Sequence, residues 1–549
     1  MLDRRACGEV RSETRHKRLF HQHNECLASV GSSGRRYGGI CGVRSTSFDR
    51  STAPRHSKKH DRRVIPGEII ERLNRALGIP GWDGRHMILN KREMETSSQK
   101  RSVLFVATVS SFLTPFMVSA TNVALPAIQS EFGLNAIMLA WIPTLYLLSY
   151  AVFILPCGKI ADICGRKKVF MCGIWVFTIS SALGAISPTT TVLLLSRVTQ
   201  GLGSSMIFPT SLAILADVFP PQERGKAIGI SVAAVYMGLS TGPFLGGVLT
   251  NHLTWRAVFV APIPVGIAAI YLSTWKLAGE WVEARGEKID LIGSILYGAA
   301  IALFMYGVSV LPSSESLWAI CLGLALGGFF VWWEWKATSP VVNLDLFRQN
   351  KIFALSSLAA LIHSSATFAV AFMLSLYLQY IKGLTSQASG LALMALPLVM
   401  AIFSPVAGRL SDRVHPGKIA SLGMAVTAVG LFAMTFLKSR TSMIFIVSDL
   451  GFLGLGVALF ASPNMNTIMN SVEKKFYGTA SGISGSMRLI GNMLSMGIVT
   501  VLFSLYLGRV QITPQHYPAF LNSLKTGFLI FALLCVAGIF ATSAGEKAT

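Results

Sequence analysis

The chain has 549 residues, of which 52% are hydrophobic and only 13% charged. So apolar a composition excludes an ordinary soluble domain of this size and predicts an all-α polytopic membrane protein. The formal net charge of +22 is unevenly placed: residues 1–101 hold 22 Lys and Arg against 11 Asp and Glu, which is half of the excess.

Residues 1–100 are rich in Arg, His, Ser and Gly and lack a long apolar run, which predicts a basic extension without a stable core. Within it, "PGEIIERLNRALGIP" sets Ile69, Ile70, Leu73 and Leu77 on one face of a short helix between Pro66 and Gly78, suited to an anionic leaflet. Met94, in "METSSQKRS", opens a short hydrophilic lead into the first apolar run, so translation is expected to start there. The extension carries no recognisable nucleic-acid module, and no nucleic-acid partner is expected. The eight cysteines form no CxxC pair and no metal-ligand spacing, so neither a metal site nor a cofactor is expected.

A helix needs about 20 apolar residues to cross the hydrocarbon core. Such runs lie near 103–125, 137–157, 169–187, 191–215, 226–249, 256–276, 290–311, 317–335, 352–380, 388–408, 418–437, 442–467, 478–507 and 524–543, which predicts fourteen spans. With the N-terminus inside, eighteen loop Lys and Arg from the second helix onward fall inside and six fall outside. That asymmetry places both termini in the cytoplasm.

Two loops repeat. "GKIADICGRKK" (Gly158–Lys168) follows the second span and "GRLSDRVHPGK" (Gly408–Lys418) the tenth, each with Asp four residues after the first glycine, at Asp162 and Asp412. Equivalent loops of two six-helix repeats would lie six spans apart; these lie eight apart, so two helices have been inserted. The expected organisation is a six-helix bundle over 101–276, the inserted pair within 277–340, and a second six-helix bundle over 341–549.

At these residues the sequence resembles the major facilitator superfamily, in its 14-helix drug:proton antiporter branch, from about residue 100 onward. "GKIADICGRKK" is similar to the superfamily's loop signature, and "RVTQGLGSS" (Arg197–Ser205) to its fourth-helix element. "GLSTGPFLGG" (Gly238–Gly247) is similar to the fifth-helix signature of antiporters, and "TNVALPAIQSEF" to the end of the branch's first helix. The resemblance implies two pseudo-symmetric bundles that alternate about a central site.

In the first loop, Gly158 is expected to permit close approach of neighbouring helices, and Asp162, with Gly165 and Arg166, to latch the two halves; Gly408 and Asp412 form the counterpart. On the fifth helix Gly238, Gly242 and Gly246 recur every four residues, beside Pro243 and Gly247. The resemblance implies that this face seals one side of the transporter between the bundles.

Charge inside a span is rare, since a central arginine costs about 2.5–3.5 kcal/mol on insertion scales. Arg197, Asp449 and Arg488 are therefore the proton-coupling candidates. The arginine matching Arg197 is proposed in the family to take part in proton movement; satisfying backbone carbonyls is the other reading. Asp449 and Arg488 are expected at similar depth and would pair if their faces meet. Asn122, Tyr146, His363, Asn464, Asn466 and Asn492 are polar groups expected to turn inward, toward substrate or toward other helices. The sequence departs from the branch where many members carry a first-helix aspartate: that position is Met117. Its absence weakens proton coupling through that helix and any preference for cations.

No nucleotide-binding loop and no Ser/His/Asp arrangement stands out, so the expectation is a transporter rather than an enzyme. The leading reading is a monomeric exporter of small amphipathic compounds in the cytoplasmic membrane, coupled to protons, with the lipid bilayer and a small-molecule substrate as its partners. The alternatives are a dedicated exporter of an endogenous metabolite or lipid-like molecule, and a membrane sensor that reaches a partner through its basic extension.

Overall fold

The computed structural model describes residues 84–546, apart from 277–279, 283–288, 312–313, 338–339, 343, 345–346, 349, 412, 474–476 and 509. The short helix expected between Pro66 and Gly78, and Asp412 of the second loop, lie outside the described residues. No strand occurs among the described residues.

Fourteen helices are long and apolar enough to cross a bilayer. They are α1 Gln99–Phe132, α2 Ala136–Cys164, α3 Arg166–Ala185, α4 Thr190–Val218, α5 Ala227–His252, α6 Arg256–Trp275 and α7 Leu291–Val308. The remainder are α8 Glu315–Glu334, α9 Lys351–Ile381, α10 Ser386–Ser411, α11 Pro416–Met434, α12 Met443–Asn470, α13 Ala480–Tyr506 and α14 Pro514–Thr542. Each overlaps one expected run. The largest difference is α14, which starts ten residues before position 524 because Pro514 opens a helical turn under a still-polar stretch.

Local chemistry sets the helix starts. The side chains of Asn135, Thr189, Asp290, Asn350, Thr385 and Ser442 each accept a hydrogen bond from a backbone amide in the first turn of the helix that follows. These caps satisfy amides that have no partner within the helix. The connection between α1 and α2 is short enough to need Gly133 at φ 65°.

The helices sort into groups by contact. α1 packs on α5, α2 on α4, and α3 on α4 and α6, while α11 packs on α12 and α14, α10 on α12, and α9 on α13 and α14. The groups meet where α5 lies on α10 and α2 on α13. The inserted helices α7 and α8 pack on each other, and α7 also touches both α2 and α13. Tyr297 of α7 donates to the Ala151 carbonyl of α2 at 3.1 Å, and Ser504 of α13 donates to the Leu311 carbonyl just beyond α7 at 2.7 Å. The pair thus stands at a seam between the groups.

Candidate functional site

Hydrogen bonds between the groups gather at the end bearing the α1–α2 and α13–α14 connections, called outer after the positive-inside expectation. Pro126 lies within the helix of α1 and has no N–H, so it cannot donate to the carbonyl of Asn122 four residues earlier. Ser375 of α9 supplies that donor at 2.8 Å. One turn on, Gln379 Nε2 donates to the Val123 carbonyl at 3.0 Å, and Tyr380 donates to Gln129. A π turn over Tyr377–Ile381 carries Gln379 and Tyr380. Ser386 at the start of α10 donates to Gln379 Oε1, and the Ala136 amide donates to the Val510 carbonyl across the outer loops. The lock is made of neutral groups.

The glycines of α5 divide the work. A Cβ at Gly238 would meet the Phe112 carbonyl, one at Gly242 the Ser119 hydroxyl, and one at Gly246 the Ala120 backbone, all on α1. The three-glycine face therefore packs within the first group and does not seal the groups against each other. The seal comes from the neighbouring register: a Cβ at Gly247 would collide with the Ser386 carbonyl of α10, and one at Gly390 with the Pro243 carbonyl. The expectation for Gly238, Gly242 and Gly246 is corrected accordingly, and Gly390 is a functional residue that the sequence reading did not single out.

The inner end is different. Nothing lies within 4 Å of a Cβ built at Gly158, Gly229, Gly482 or Gly485. Gly158 thus makes no close helix approach here, contrary to expectation, whereas Gly408 brings α10 near Ser462 of α12. Arg166 binds Asp162 at 2.8 Å and Asp217 at 2.7 Å, so Asp162 is held within the first group. Gly165 takes φ 117°, which an L side chain rarely adopts, and leaves room for Glu280. The Glu280 carboxylate accepts from the Lys167 and Lys168 amides at the start of α3, and the Trp281 carbonyl accepts from the Arg166 amide. Asp217 and Glu280 escaped the sequence reading; the only signal for Asp217 was an acid at a span end.

Arg197 is fully buried. It donates to the Ile142 carbonyl and to Gln200 Oε1, and its guanidinium lies 4.6 Å from the Tyr146 ring centre. No carboxylate pairs with it among the described residues. Tyr146 is in turn hydrogen-bonded to Ser204 at 2.7 Å.

Asp449 and Arg488 are not brought together. Asp449 is buried between α12 and Gly430 of α11, and its Oδ2 has no hydrogen-bond partner. Arg488 is exposed on α13, and its charge acts on Tyr150 of α2. The similar depth expected for them does not hold either: Asp449 lies six residues from the outer end of α12 and Arg488 eighteen residues from the outer end of α13.

The softer candidates scatter. Asn464 donates to the Ser356 carbonyl of α9 and Asn466 to Ser411 of α10, both as links between helices. The His363 ring stacks on Phe460 at 4.1 Å, and its Nε2 is unpartnered. The Asn122 Oδ1 is buried without a partner, and Asn492 is half-buried. Met117, where the branch has an acid, is fully buried. A separate groove of about 480 Å³, walled by α7, α9, α13 and α14, is lined by apolar side chains and Ser365. None of the expected site residues lines it.

Two outcomes follow for the outer lock. Gly242→Val should lower the thermal stability of the whole chain, because it forces α1 off α5, whereas Gly247→Val should leave it folded but unable to close outside. Melting temperature, and thiol labelling of Ala388→Cys from the outer side, read the two effects. Ser375→Ala should raise that labelling by leaving the Asn122 carbonyl unpaired in the closed form, a loss of about 1 kcal/mol. Adding Pro126→Ala, which restores a donor within α1, should abolish most of that increase.

Comparison with known proteins agrees with this architecture. The sequence profile of the Major Facilitator Superfamily matches residues 107–496 and 356–544. The riboflavin transporter RibZ of Clostridioides difficile is 28% identical over 444 residues, covering 81% of this chain and 97% of that one. Multidrug resistance protein Stp of Mycobacterium tuberculosis is 32% identical over 395 residues, covering 70% and 72%. Among solved structures, the peptide transporter POT in complex with sulfate superposes with a TM-score of 0.60 at 15% identity, over 79% of this chain and 94% of that one, which bears on the fold alone. Fourteen apolar helices, the loop and helix signatures and these matches agree: the chain belongs to the Major Facilitator Superfamily, as an integral membrane transporter of the drug-efflux type.

Proposed function

We propose that the chain exports small amphipathic organic compounds by alternating access and proton antiport, with both termini in the cytoplasm. The observation that carries this reading is the asymmetry between the ends. Backbone-to-backbone contacts at Gly247 and Gly390 and a neutral hydrogen-bonded lock join the groups at the outer end, while near the inner end four glycines of α2, α5 and α13 (Gly158, Gly229, Gly482 and Gly485) have no neighbour within 4 Å of a built Cβ. Neutral locks and small-residue contacts can part without separating paired charges. The two bundles expected from the repeat, 101–276 and 341–549, would be the rocking bodies, with the inserted helices riding at the seam.

Asp449 is the proton carrier in this reading, since it is a buried carboxylate with an unpartnered oxygen inside a span. Arg197, held by a carbonyl, an amide and aromatic rings, supports the packing of α4 on α2.

A second reading, a dedicated carrier of one metabolite, is favoured by Met117: without an acid there, the first helix offers nothing to a drug cation. One relative is named for multidrug resistance and another for riboflavin, so relatedness supports either.

Energised inverted vesicles test the proposal. Accumulation of dyes or drugs that collapses with a protonophore is the expected result, and Asp449→Asn should bind the same compounds while losing the dependence of transport on the pH gradient. Wild-type pH dependence in that variant would remove Asp449 from the coupling.

A further inference from the structure

Arg488 is the charge in the spans whose surroundings the proposed export cycle leaves unexplained. It lies eight residues from the start of α13, about 12 Å along the helix. It is exposed, and no carboxylate hydrogen-bonds or ion-pairs with it among the described residues. Its charge acts on Tyr150, which stands midway along α2 and is itself buried. α2 and α13 pack on each other across the seam between the helix groups. Arg488 therefore faces the other group rather than lipid, where an uncompensated guanidinium would be strongly disfavoured.

The face around it is open. Gly485 lies three residues before Arg488, about 60° round the helix, and a Cβ there would meet nothing within 4 Å. The guanidinium, about a third of the way along α13 from its inner end, thus has room beside it at Gly485. Tyr150 meets Tyr146 edge-on at 6.2 Å between ring centres, which gives this space an aromatic wall. Among the described residues no carboxylate ion-pairs with it: Met117 is apolar and buried, Asp449 is enclosed between α11 and α12, and Asp162 and Asp217 are paired with Arg166.

We propose that Arg488 selects substrate charge, and that the compounds this cavity holds carry an anionic group, such as a carboxylate, sulfonate or phenolate, on an aromatic or apolar body. The inference rests on the export reading and narrows its substrate class. A planar guanidinium offers paired donors that match an oxyanion, while the ring of Tyr150 and the small residues of α13 leave space for the apolar part. Lysine at this position would keep the charge and lose the paired geometry.

The test measures dye binding by fluorescence anisotropy with the full chain in lipid nanodiscs. The probes are fluorescein, the methyl ester of its methyl ether, in which neither the carboxyl nor the phenol can ionise, and the cation rhodamine 123. The wild type should bind fluorescein at least about tenfold more tightly than either of the other two, the size of one charge-assisted interaction. Arg488→Gln should erase that preference without weakening rhodamine 123, and Arg488→Lys should keep part of it. Added salt should weaken fluorescein binding to the wild type more than that of the methyl ester, a comparison that needs no variant to fold. Equal affinities for all three dyes, tighter binding of the cation, or an anion preference that persists in Arg488→Gln overturns the role of Arg488 while leaving export intact. Failure of the wild type to bind any dye, together with no protonophore-sensitive uptake in vesicles, overturns the export reading itself.

Discussion

Hydrocarbon offers a backbone amide or carbonyl no partner, so each such group within a span must find one inside the protein. That constraint explains why the apolar part of the chain is helical throughout the described spans, and why side-chain caps begin so many of them. It also gives each proline within a span a consequence, because a missing N–H leaves a carbonyl that some other group must satisfy. At Pro126 the group that does so is Ser375, which belongs to the other set of helices. A local defect in α1 has become half of a contact between the two sets of helices.

The same constraint shapes the seams. Between apolar helices in lipid there is little hydrophobic gain on association, so close packing of small residues carries more of the load. α5 uses both aspects of this on adjacent faces. Gly238, Gly242 and Gly246 meet α1, while Gly247 meets α10 at the outer end. One helix thereby joins a contact within its own group to a contact with the other group.

The charged groups divide by depth. Near the inner end, Arg166 gathers Asp162 and Asp217, and Glu280 covers the amides at the start of α3, so the chain leading toward the inserted helices is tied to the loop that follows α2. Deeper in the spans, Arg197 is solvated by a carbonyl, an amide and ring faces, and Asp449 and Arg488 stand apart on different interfaces. Fixed charges are paired at the surface and left single where a mobile ion or ligand is proposed to supply the partner.

The membrane class, the fourteen spans and the family signatures were legible along the chain, and the repeated loops raised the expectation of an inserted pair. Each of these depends on composition, on run length or on spacing along one chain, and those quantities survive without any knowledge of neighbours. Only the tertiary structure decided which helix faces meet. The four-residue glycine spacing on α5 located a close-packed face but not its partner, which proved to be α1; Gly247, one residue further, found α10. On the observed helices Asp449 lies six residues from the outer end of α12 and Arg488 eighteen residues from the outer end of α13, so they are not level, and Asp449 stands against α11 while α13 packs on α2. Glu280 and Asp217 were invisible for the same reason, since an acid at a span end looks like a solvated charge until the helix start or the arginine opposite it is in place. Rotation and partner choice are set by packing among many helices at once, and no single stretch of the chain records them.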